Sequence, residues 1–528
     1  MPILLAGAML GACAVHPPGA DFPHPVSVAL AEPRDTRLGR QFADQSAEHG
    51  GASGFRILTQ GLDGFLARAQ LIDAAERTLD LQYFIFRGDE TGRLLTDGLI
   101  RAADRGVRVR VLVDDGDTLP GDEQILALAK HASIEVRVFN PFAYRGHNRF
   151  RRVLEFLANP IRLDYRMHNK LMVADNALAL VGGRNIGDQY FQVDPASQFA
   201  DDDVVAAGPV ASKLSASFDE FWNSPLTIPA EALGLPKASK HEISELRERA
   251  RKRPTTIVEP TGEAGGGYVT RIATGEPYAG LISGRLPLSW AEARVLSDSP
   301  DKRSVGDGSM PGRLMTHGVR QIIAATQSEW LMVTPYFIPA DEELGVLHDL
   351  RERNVAVGIV TNSLNSSRDL LAHAGYTNYR KALLERGVSL YEVRAQPAVA
   401  RGSGQSTRLS RYGHYGLHAK LMVFDKKEIF VGSMNFDQRS KRLNTEVGLL
   451  IESPELADET ASRFSAMTQL DNAYELSLVS PATPGRARLA WRTKEEGQEV
   501  QYMKEPAQNA WRRFVVWFLS FLPLSREL

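Results

Sequence analysis

The chain contains two copies of one order of predicted elements, and this repeat restricts the possible folds more than any other feature. In the first copy, residues 80–86 form a strand-like run, a helical stretch follows, and residues 106–113 alternate as a second strand. The same order returns about 250 residues later, with strand-like runs at residues 330–338 and 354–360. Strands that alternate with helices predict an α/β fold, here two mixed β-sheet halves flanked by helices. Two aromatic pairs are predicted to occupy matching places in the copies, Tyr83-Phe84 and Tyr336-Phe337.

Each copy ends in the same arrangement of four polar residues. A lysine lies two residues after a histidine, an aspartate seven residues after it, and an asparagine seventeen residues after it. These residues are His168, Lys170, Asp175 and Asn185 in the first copy and His418, Lys420, Asp425 and Asn435 in the second. A single His-x-Lys pair would often arise by chance, but two copies with identical spacing indicate a functional motif.

The spacing of histidine and lysine predicts a site that binds and attacks an anion. Residues i and i+2 of a β-strand project from the same face, so each histidine and its lysine would point into one pocket. An ammonium group holds the anion, a neutral imidazole attacks it, and the motif asparagines add amide donors. Two such sets around one phosphodiester would stabilise the charge of a five-coordinate phosphorus. One histidine would form a phosphohistidine and the other would protonate the departing alcohol.

Two carboxylates downstream of the motifs are candidates for orienting the histidines. Asp201 and Glu446 occupy equivalent places, each seven residues before a small residue that precedes a proline. A histidine that exchanges protons needs a partner to fix its tautomer, and a carboxylate provides one. Gly183 stands where Ser433 stands in the second copy, so a hydroxyl contact at this position would occur in one half only.

With these motifs the sequence resembles the phospholipase D superfamily, in which His-x-Lys-x4-Asp occurs twice. Within it the sequence is similar to bacterial cardiolipin synthases of the C type, on the features Arg166-Met-His-Asn-Lys, Val181-Gly-Gly-Arg-Asn-Ile-Gly-Asp, Thr361-Asn-Ser-Leu, His373-Ala-Gly-Tyr, Gly416-Leu-His-Ala-Lys and Arg442-Leu-Asn-Thr-Glu. The resemblance extends from about residue 55 to the C-terminus. It implies a duplicated phospholipase D fold with one active site at the interface of the two halves.

The resemblance also implies an activity and roles for the motif residues. The activity is transfer of a phosphatidyl group between membrane phospholipids, with phosphatidylglycerol as acceptor and glycerol or ethanolamine as the group released from the donor. His168 would be the nucleophile and His418 the acid/base, an order that the spacing alone leaves open. Asp175 and Asp425 are grouped with the catalytic residues as members of the motif, although the resemblance implies a more structural role for them.

Three other functions could use or retain the same motifs. A phospholipase D-type lipid hydrolase would resolve the intermediate with water, and the motifs do not distinguish it from a synthase. A nuclease of the superfamily would need a basic groove with stacking aromatics. The formal net charge of −2 is against that class, and we expect no nucleic-acid partner. A non-catalytic lipid-anchored scaffold would not require intact motifs in both halves.

The sequence predicts catalysis without a metal ion or another cofactor. His414 and His418 have the four-residue spacing of helical metal ligands, but two glycines interrupt this segment and a strand-like run follows. Asp114 and Asp115 end a strand, where acidic residues are more often turn formers than metal ligands. The two motif lysines supply the positive charge that a cation would otherwise provide.

The N-terminal residues predict a lipid anchor. Residues 1–15 are apolar and small, and Leu10-Gly-Ala-Cys matches a lipoprotein processing box, which makes Cys13 the candidate lipidation site. No Lys or Arg precedes Cys13, which is atypical of a signal peptide. A lipidated protein would face the periplasm, whereas without processing it would be a peripheral enzyme on the cytoplasmic face of the inner membrane.

Two further segments suggest contact with the membrane surface. Residues 511–523 are too short to span a bilayer but place paired tryptophans beside basic residues, so they form either an interfacial segment or a helix docked on the core. Four arginines before the first motif either bind lipid phosphate or form a solvated helix face, namely Arg145, Arg149, Arg151 and Arg152.

These features divide the chain into five parts. They are a signal and tether (1–50), an N-terminal phospholipase D-like half (51–230), a linker with a basic run and a glycine run (231–310), a C-terminal phospholipase D-like half (311–480) and a membrane-apposed tail (481–528).

Overall fold

The computed structural model of the protein describes residues 17–116, 128–146, 148–193, 197–234, 285–395, 414–479 and 487–522, and the single residues 244, 248 and 280. Cys13, the glycine run and nearly all of the basic run lie outside the described residues. Two large mixed sheets with helices on their faces form the two halves, which is the predicted α/β fold class.

The first half is built on a nine-stranded sheet. Its strands are β1 (Ser53–Leu58), β2 (Thr78–Tyr83), β3 (Arg108–Asp114), β4 (Ile134–Phe139), β5 (Lys170–Ala174), β6 (Leu178–Gly182), β8 (Asp203–Ala207), β9 (Thr227–Pro229) and β10 (Ser289–Ala291). Their order is β10-β1-β8-β6-β5-β2-β3-β4-β9, with β2, β3 and β4 parallel and the other pairs antiparallel. The helices described in this half are α1 (Arg37–Glu48), α2 (Gly61–Ala74), α3 (Glu90–Asp104), α4 (Arg149–Ala158), α5 (Pro160–Leu163) and α6 (Pro209–Trp222).

The second half is built on a ten-stranded sheet. Its strands are β11 (Ala293–Ser297), β12 (Glu329–Val333), β13 (Ala356–Asn362), β14 (Ser389–Val393), β16 (Leu421–Phe424), β17 (Glu428–Gly432), β18 (Val447–Ile451), β19 (Ala473–Val479), β20 (Arg488–Glu495) and β21 (Gln498–Tyr502). Their order is β11-β18-β17-β16-β12-β13-β14-β19-β20-β21. The helices described in the second half are α7 (Lys302–Gly306), α8 (Met315–Ala325), α9 (Asp341–Glu352), α10 (Leu370–Thr377), α11 (Arg380–Glu385), α12 (Gln438–Arg442), α13 (Pro454–Met467) and α14 (Ala510–Leu519).

Eight strands of each sheet follow the same spatial order, so the duplication seen in the sequence is a duplication of the fold. The order β1-β8-β6-β5-β2-β3-β4-β9 corresponds strand by strand to β11-β18-β17-β16-β12-β13-β14-β19. The predicted match between Tyr83 and Tyr336 is wrong by two residues. Thr78 and Glu329 both donate their N–H to the motif aspartate of their half, which aligns Tyr83 with Thr334 and not with Tyr336.

One hydrophobic cluster crosses the interface and joins the halves. It combines residues of β5, β6, β8 and α6 with residues of β16, β17, β18 and α13. Phe218 and Trp222 of α6 are fully buried in it, and Phe464 of α13 is nearly so. Burial of each such side chain stabilises the fold by about 1.5–3 kcal/mol. A two-stranded sheet of β7 (Ser197–Ala200) and β15 (His414–Leu417) adds backbone pairing between the halves.

Several elements belong to a sheet or core that lies outside the part of the chain to which the predicted boundaries assign them. β10 and β11 lie within the predicted linker, yet β10 pairs with β1 in the first sheet and β11 pairs with β18 in the second. β20 and β21 lie within the predicted tail but extend the second sheet. α1 lies within the predicted tether and buries Leu38 and Phe42 in the core of the first half. Among the described residues, no helix is both long enough and apolar enough to span a bilayer.

Candidate active site

Backbone pairing across the interface brings the two motif histidines into one shielded site. His168 precedes β5, and its N–H donates to the carbonyl of Thr445 in the other half at 2.9 Å. His418 follows β15, and its N–H donates to the carbonyl of Ala200 in the first half at 2.7 Å. The side chains of His168 and His418 are only 9% and 12% exposed.

The motif lysines lie beside these histidines. Lys170 Nζ donates to the carbonyl of His168 at 2.5 Å. Lys420 Nζ lies 2.9 Å from Nδ1 and 3.2 Å from Nε2 of His418. After burial, the charges of Lys170 and Lys420 are the next causes that lower the pKa of His168, and the charge of Lys170 also reaches His418 across the interface. The four side chains therefore share one site.

The motif asparagines are both buried but differ in their contacts. Asn185 Oδ1 accepts a hydrogen bond from the N–H of Ile85 at 3.0 Å, which fixes its amide plane. Asn435 Oδ1 accepts no hydrogen bond from any residue that the structure describes. The two asparagines thus follow the equivalent strands β6 and β17, and only the amide of the first copy is held by the backbone.

The carboxylates predicted to orient the histidines do so across the interface. His168 Nδ1 lies 3.0 Å from Glu446 Oε2, and His418 Nδ1 lies 2.5 Å from Asp201 Oδ2. Both carboxylates are buried. Each half therefore supplies the histidine of one pair and the carboxylate of the other, so neither half contains a complete set. In both pairs Nδ1 faces the carboxylate and Nε2 is left for chemistry.

The difference between Gly183 and Ser433 matches the difference between the carboxylates. Ser433 Oγ donates to Glu446 Oε2 at 2.5 Å and holds the longer side chain in place. A Cβ on Gly183 would lie 2.0 Å from Asp201 Oδ1, so the shorter side chain occupies space that only glycine leaves open. The predicted one-sided hydroxyl contact is present, and its counterpart is a close approach that requires glycine.

The motif aspartates lie at the far end of their strands and hold the backbone. Asp175 and Asn176 form the turn between β5 and β6 with φ near +52° and +53°, a type I′ hairpin that favours Asp and Asn. The Asp175 carboxylate accepts from three consecutive N–H groups, those of residues 76, 77 and 78. Asp425 accepts in the same way from residues 327, 328 and 329. Their grouping with the catalytic residues is therefore corrected, since both carboxylates fix strand ends.

Burial and mutual repulsion lower the pKa of the basic groups of the site. Burial and then Lys420 lower the pKa of His418 to about 3, against the opposing charge of Asp201. Burial lowers the pKa of Lys420 to about 8 and holds that of Lys170 well below its ordinary value. Both imidazoles are therefore neutral at pH 7. A bound phosphodiester anion would raise the pKa of each of these groups, because it compensates the repulsion between them.

The two carboxylates differ in charge. Burial raises the pKa of Asp201, but His418 and then Lys420 outweigh burial, so the pKa lies below its ordinary value. Burial raises the pKa of Glu446 to about 7, with Lys170 and Ser433 opposing the shift. Asp201 is therefore an anion at neutral pH, whereas Glu446 is close to half protonated. The His418–Asp201 pair is the one better suited to stabilise a protonated imidazole.

We predict that Glu446→Gln stabilises the protein at pH 8 while it disrupts the site. Because the pKa of Glu446 is higher in the folded protein than in the unfolded chain, its effect on stability is absent below about pH 4.5, and stability is lost as the pH rises through 7. Glutamine mimics the protonated form, so the free energy of unfolding should rise by about 1–3 kcal/mol at pH 8 and remain unchanged at pH 4. Chemical denaturation at both pH values measures this, with the exposed Glu459→Gln as the matched control. A loss of stability at pH 8 would contradict the prediction.

Three aromatic side chains enclose the histidines, and none of them was predicted from the sequence to do so. Phe84 packs edge-on against His168 with ring centroids 5.0 Å apart. Tyr190 and Phe199 lie 5.3 Å and 5.1 Å from the ring of His418. The position of Phe84 directly after β2 was the available signal, whereas the ring of its neighbour Tyr83 is buried in the core. The aromatic groups shield the imidazoles from water.

The two acidic residues at the end of β3 are both engaged in contacts within the protein. Asp114 accepts from the N–H of Met167, next to His168, at 2.8 Å. Asp115 accepts from the N–H of Phe142 and forms ion pairs with Arg145 and Arg152. Two of the four arginines before the first motif are thus engaged with Asp115. Arg149 and Arg151 are both exposed on α4.

The described part of the chain contains no group of three or more His, Cys, Asp or Glu side chains arranged to hold a metal ion. The backbone of His414 and His418 belongs to β15 and the residue after it, so the helical spacing considered from the sequence does not apply. The acidic side chains nearest the histidines, Asp201 and Glu446, are engaged with the imidazoles.

Comparisons with known proteins match both halves of the chain. The family model described as "Cardiolipin synthase, PLD-like domain" matches residues 69–222 and 319–468, one match in each half. Cardiolipin synthase C of Escherichia coli strain K12 is 36% identical over 93% of this chain and 99% of that protein. The major cardiolipin synthase ClsA of Bacillus subtilis strain 168 is 25% identical over 77% of this chain and 67% of that protein.

A solved structure has the same fold. The phosphatidylserine synthase of Haemophilus influenzae Rd KW20 matches 82% of this chain and 92% of that chain, with a TM-score of 0.50 and 14% sequence identity. At that identity the likeness concerns the fold alone. Together with the duplicated motif and the two sheets, the family match over both halves assigns this chain to the cardiolipin synthase, PLD-like domain family of the phospholipase D superfamily.

Proposed function

We propose that the protein is a cardiolipin synthase that transfers a phosphatidyl group between phospholipids through a phosphohistidine. The observation that carries this proposal is the crossed pairing of His168 with Glu446 and of His418 with Asp201. It creates one site with two imidazoles and two lysines, which fits a single phosphodiester. The family match and the 36% identity with a cardiolipin synthase over nearly the whole chain support the substrate class.

In the first step, His168 Nε2 attacks the phosphorus of the donor lipid. A P–N bond forms, the P–O bond to the donor's head-group alcohol breaks, and His418 protonates the departing oxygen. Lys170 and Lys420, with the amides of Asn185 and Asn435, stabilise the charge on the equatorial oxygens. The product is a phosphatidyl group on His168 and a released glycerol or ethanolamine.

In the second step, a hydroxyl of phosphatidylglycerol attacks the phosphohistidine. His418, now neutral, removes the proton from that hydroxyl as the new P–O bond forms and the P–N bond breaks. One phosphodiester is exchanged for another, so the reaction needs no nucleotide. The assignment of His418 as acid/base rests on the anionic Asp201 beside it, because a negative charge favours the protonated imidazole.

A phospholipase D-type hydrolase is the rival with the same first step. The two enzymes differ in whether water or a lipid hydroxyl reaches the intermediate. Phe84, Tyr190 and Phe199 around the imidazoles favour exclusion of water and hence the synthase.

Two helices with exposed apolar faces support binding to a bilayer. On α14, the side chains of Trp511 and Trp517 are 68% and 57% exposed, and only Val516 is buried against the core. On α4, Phe150 is 68% exposed, and Val153, Leu154 and Leu157 are exposed beside it. Such faces fit the boundary between head groups and acyl chains.

Both helices lie near the carboxyl ends of the strands, where the active site is found. α4 follows β4, and α14 is tied through Arg512 to the carbonyls of Leu364 and Ser367, just after β13. In the first sheet β4 runs parallel to β2, and in the second sheet β13 runs parallel to β12. The carboxyl end of β2 pairs with residues that follow His168, and the carboxyl end of β12 pairs with residues that follow His418. The two faces thus flank the site from opposite halves and would bring it to the lipid. Lipidation at Cys13 and a periplasmic location complete this proposal, with peripheral binding to the cytoplasmic face as the alternative.

We predict that Trp511→Asp combined with Trp517→Asp weakens binding to phosphatidylglycerol vesicles by roughly tenfold or more, since it removes two interfacial anchors and adds repulsion from anionic lipid. Vesicle co-sedimentation of protein lacking residues 1–16 measures this without a contribution from Cys13. The double variant Ser465→Asp, Gln469→Asp, at exposed positions in and just after α13, carries the same added charge and should bind normally. Equal loss in both variants would contradict docking through α14.

Mass spectrometry of lipid products tests the proposed function. Purified protein is given phosphatidylglycerol, with and without phosphatidylethanolamine, in EDTA. We expect cardiolipin in both cases, with free ethanolamine released if phosphatidylethanolamine is a donor. Phosphatidic acid without cardiolipin would instead identify a hydrolase, and the absence of any lipid product would reject both enzymes.

A further inference from the structure

The second half contains a cavity of about 610 Å³. The motif histidines, lysines and asparagines are not part of its lining. It lies among α7, α8, α9 and α12, above the faces of β12 and the residues that follow β17. A volume of this size is typical of sites that bind small organic ligands. Its walls are largely apolar and include Val319, Ile323, Trp330, Phe337, Val346, Leu347, Met434 and Phe436.

The duplication shows what fills this place in the first half. There a buried cluster occupies the corresponding position, in which Arg68 and Arg184 both form ion pairs with Asp203, at 2.8 Å and 3.3 Å, and Arg68 also donates to the hydroxyl of Tyr83. All four side chains are buried. This cluster packs the space behind the asparagine of the first motif.

In the second half all four positions carry smaller or apolar residues. The spacing of the motifs and the strand registers match Arg68, Tyr83, Arg184 and Asp203 with Val319, Thr334, Met434 and Gly448. The space occupied by two guanidinium groups in one half is therefore bounded by a valine and a methionine in the other. The backbone at this position is repeated in the two halves, but the charged cluster of the first half corresponds to an apolar wall in the second.

The mouth of the cavity is cationic. The lining contains five lysine or arginine side chains against three aspartate or glutamate side chains. Arg303, Arg442 and His317 are exposed at its rim, together with Asp307. The other cations are paired, Lys302 with Asp298, Arg320 with Glu342, and Lys441 with Glu343. The buried indole N–H of Trp330 on the wall has no hydrogen-bond partner among the described residues. Apolar walls below a positive rim complement a molecule with an acyl chain and an anionic head.

The cavity also borders the segment that carries Asn435. Met434 and Phe436, on either side of Asn435, both line it. Asn435 is the motif asparagine that lacks the backbone hydrogen bond held by Asn185. An occupant packed against Met434 and Phe436 would fix the segment that carries Asn435, as the charged cluster does for Asn185 in the first half.

We propose that this cavity binds one fatty acyl chain of an anionic phospholipid, with the head group at the rim formed by Arg303, His317 and Arg442. The bound lipid is distinct from the phosphodiester held by the two motifs, and binding does not require turnover. The second half has thereby become a lipid-binding counterpart of the closed first half.

Quenching of tryptophan fluorescence tests the proposal, because Trp330 lies in the cavity wall. The catalytically inactive His168→Ala protein is titrated with a doxyl-labelled long-chain lysophosphatidylglycerol below its critical micelle concentration. We expect a saturable component of quenching that Trp330→Phe removes. Val346→Phe, which fills the cavity, should weaken the apparent binding by roughly tenfold or more. The matched control His348→Phe adds the same ring at an exposed position of α9 and should leave binding unchanged.

Three results distinguish the proposal from other forms of lipid contact. A neutral monoacylglycerol with the same acyl chain should bind at least several-fold more weakly. Glycerol phosphate, which has no acyl chain, should not compete. A second filling variant, Val319→Phe on α8, guards against misfolding of Val346→Phe. Quenching that is linear with lipid, or equal in the filled and control variants, would overturn the proposal and leave only partition onto the exposed faces of α4 and α14. Because the protein used is inactive, this outcome is independent of whether the proposed exchange reaction is correct.

Discussion

His168→Ala should reduce formation of cardiolipin by on the order of 10⁴-fold or more, because it removes the nucleophile and no neighbouring group can form the P–N bond in its place. The fold should persist. The imidazole contacts Glu446 and the ring of Phe84, and the backbone N–H of residue 168, which donates to the carbonyl of Thr445, is unaffected by the substitution. Product formation from phosphatidylglycerol, followed by mass spectrometry, measures the loss. The exposed His348→Ala on α9 is the matched control and should retain full activity.

The roles of the two histidines can be separated by looking for the intermediate. If His168 is the nucleophile, peptide mass spectrometry after an alkaline quench should find the phosphatidyl group on His168 in wild-type protein. His418→Asn should turn over slowly yet still form this adduct, with a donor whose leaving group needs no proton. An adduct on His418, or unchanged activity of His168→Ala, would reverse the assignment. The anionic Asp201 beside His418 predicts that His418 is the acid/base and His168 the nucleophile.

The fold and the two motif histidines with their lysines could be predicted because they depend on local spacing. The spacing of each His-x-Lys pair, the turn that contains Asp175, and the return to Asn185 are all set by residues close in sequence. The pairs do not lie within one strand as expected, because His168 precedes β5 and Lys420 lies between β15 and β16. The crossed pairing of His168 with Glu446 could not be predicted in the same way. It depends on how two halves dock over a shared apolar cluster, and spacing within each copy carries no information about that docking.

Three further points also depend on contacts that the spacing of the motifs does not show. Matching Tyr83 with Tyr336 relied on residue identity, whereas the alignment depends on backbone contacts with the motif aspartates, which place Thr334 opposite Tyr83. The roles of Asp175 and Asp425 could be inferred only by resemblance, because a motif states which residues recur and not what they touch. The cavity of the second half was not foreseen, since the two matched positions that line it, Val319 and Met434, lie far apart in sequence.

Gly183→Ser should reduce the rate of exchange by roughly 10²–10³-fold although it only copies the residue that the second half already carries. A Cβ at this position would lie 2.0 Å from Asp201 Oδ1 and 2.9 Å from its Cγ. A flexible side chain could normally move aside at little cost. Asp201 cannot do so and still hold His418, because its other oxygen lies 2.5 Å from Nδ1 of that imidazole. The substitution therefore displaces the carboxylate and releases the acid/base from its orientation.

The pH dependence separates this effect from a general loss of structure. With Asp201 displaced, His418 loses the charge that favours its protonated form, so the alkaline limb of the rate profile, where the general acid loses its proton, should move to lower pH while KM changes little. The reciprocal change Ser433→Gly removes a hydroxyl that donates to Glu446 but creates no clash, so it should cost about tenfold or less. Combining Gly183→Ser with Asp201→Gly should relieve the crowding without restoring activity, because the carboxylate is then absent. Full activity of Gly183→Ser would mean that the carboxylate beside His418 is dispensable and that the crossed pair does not orient the acid/base.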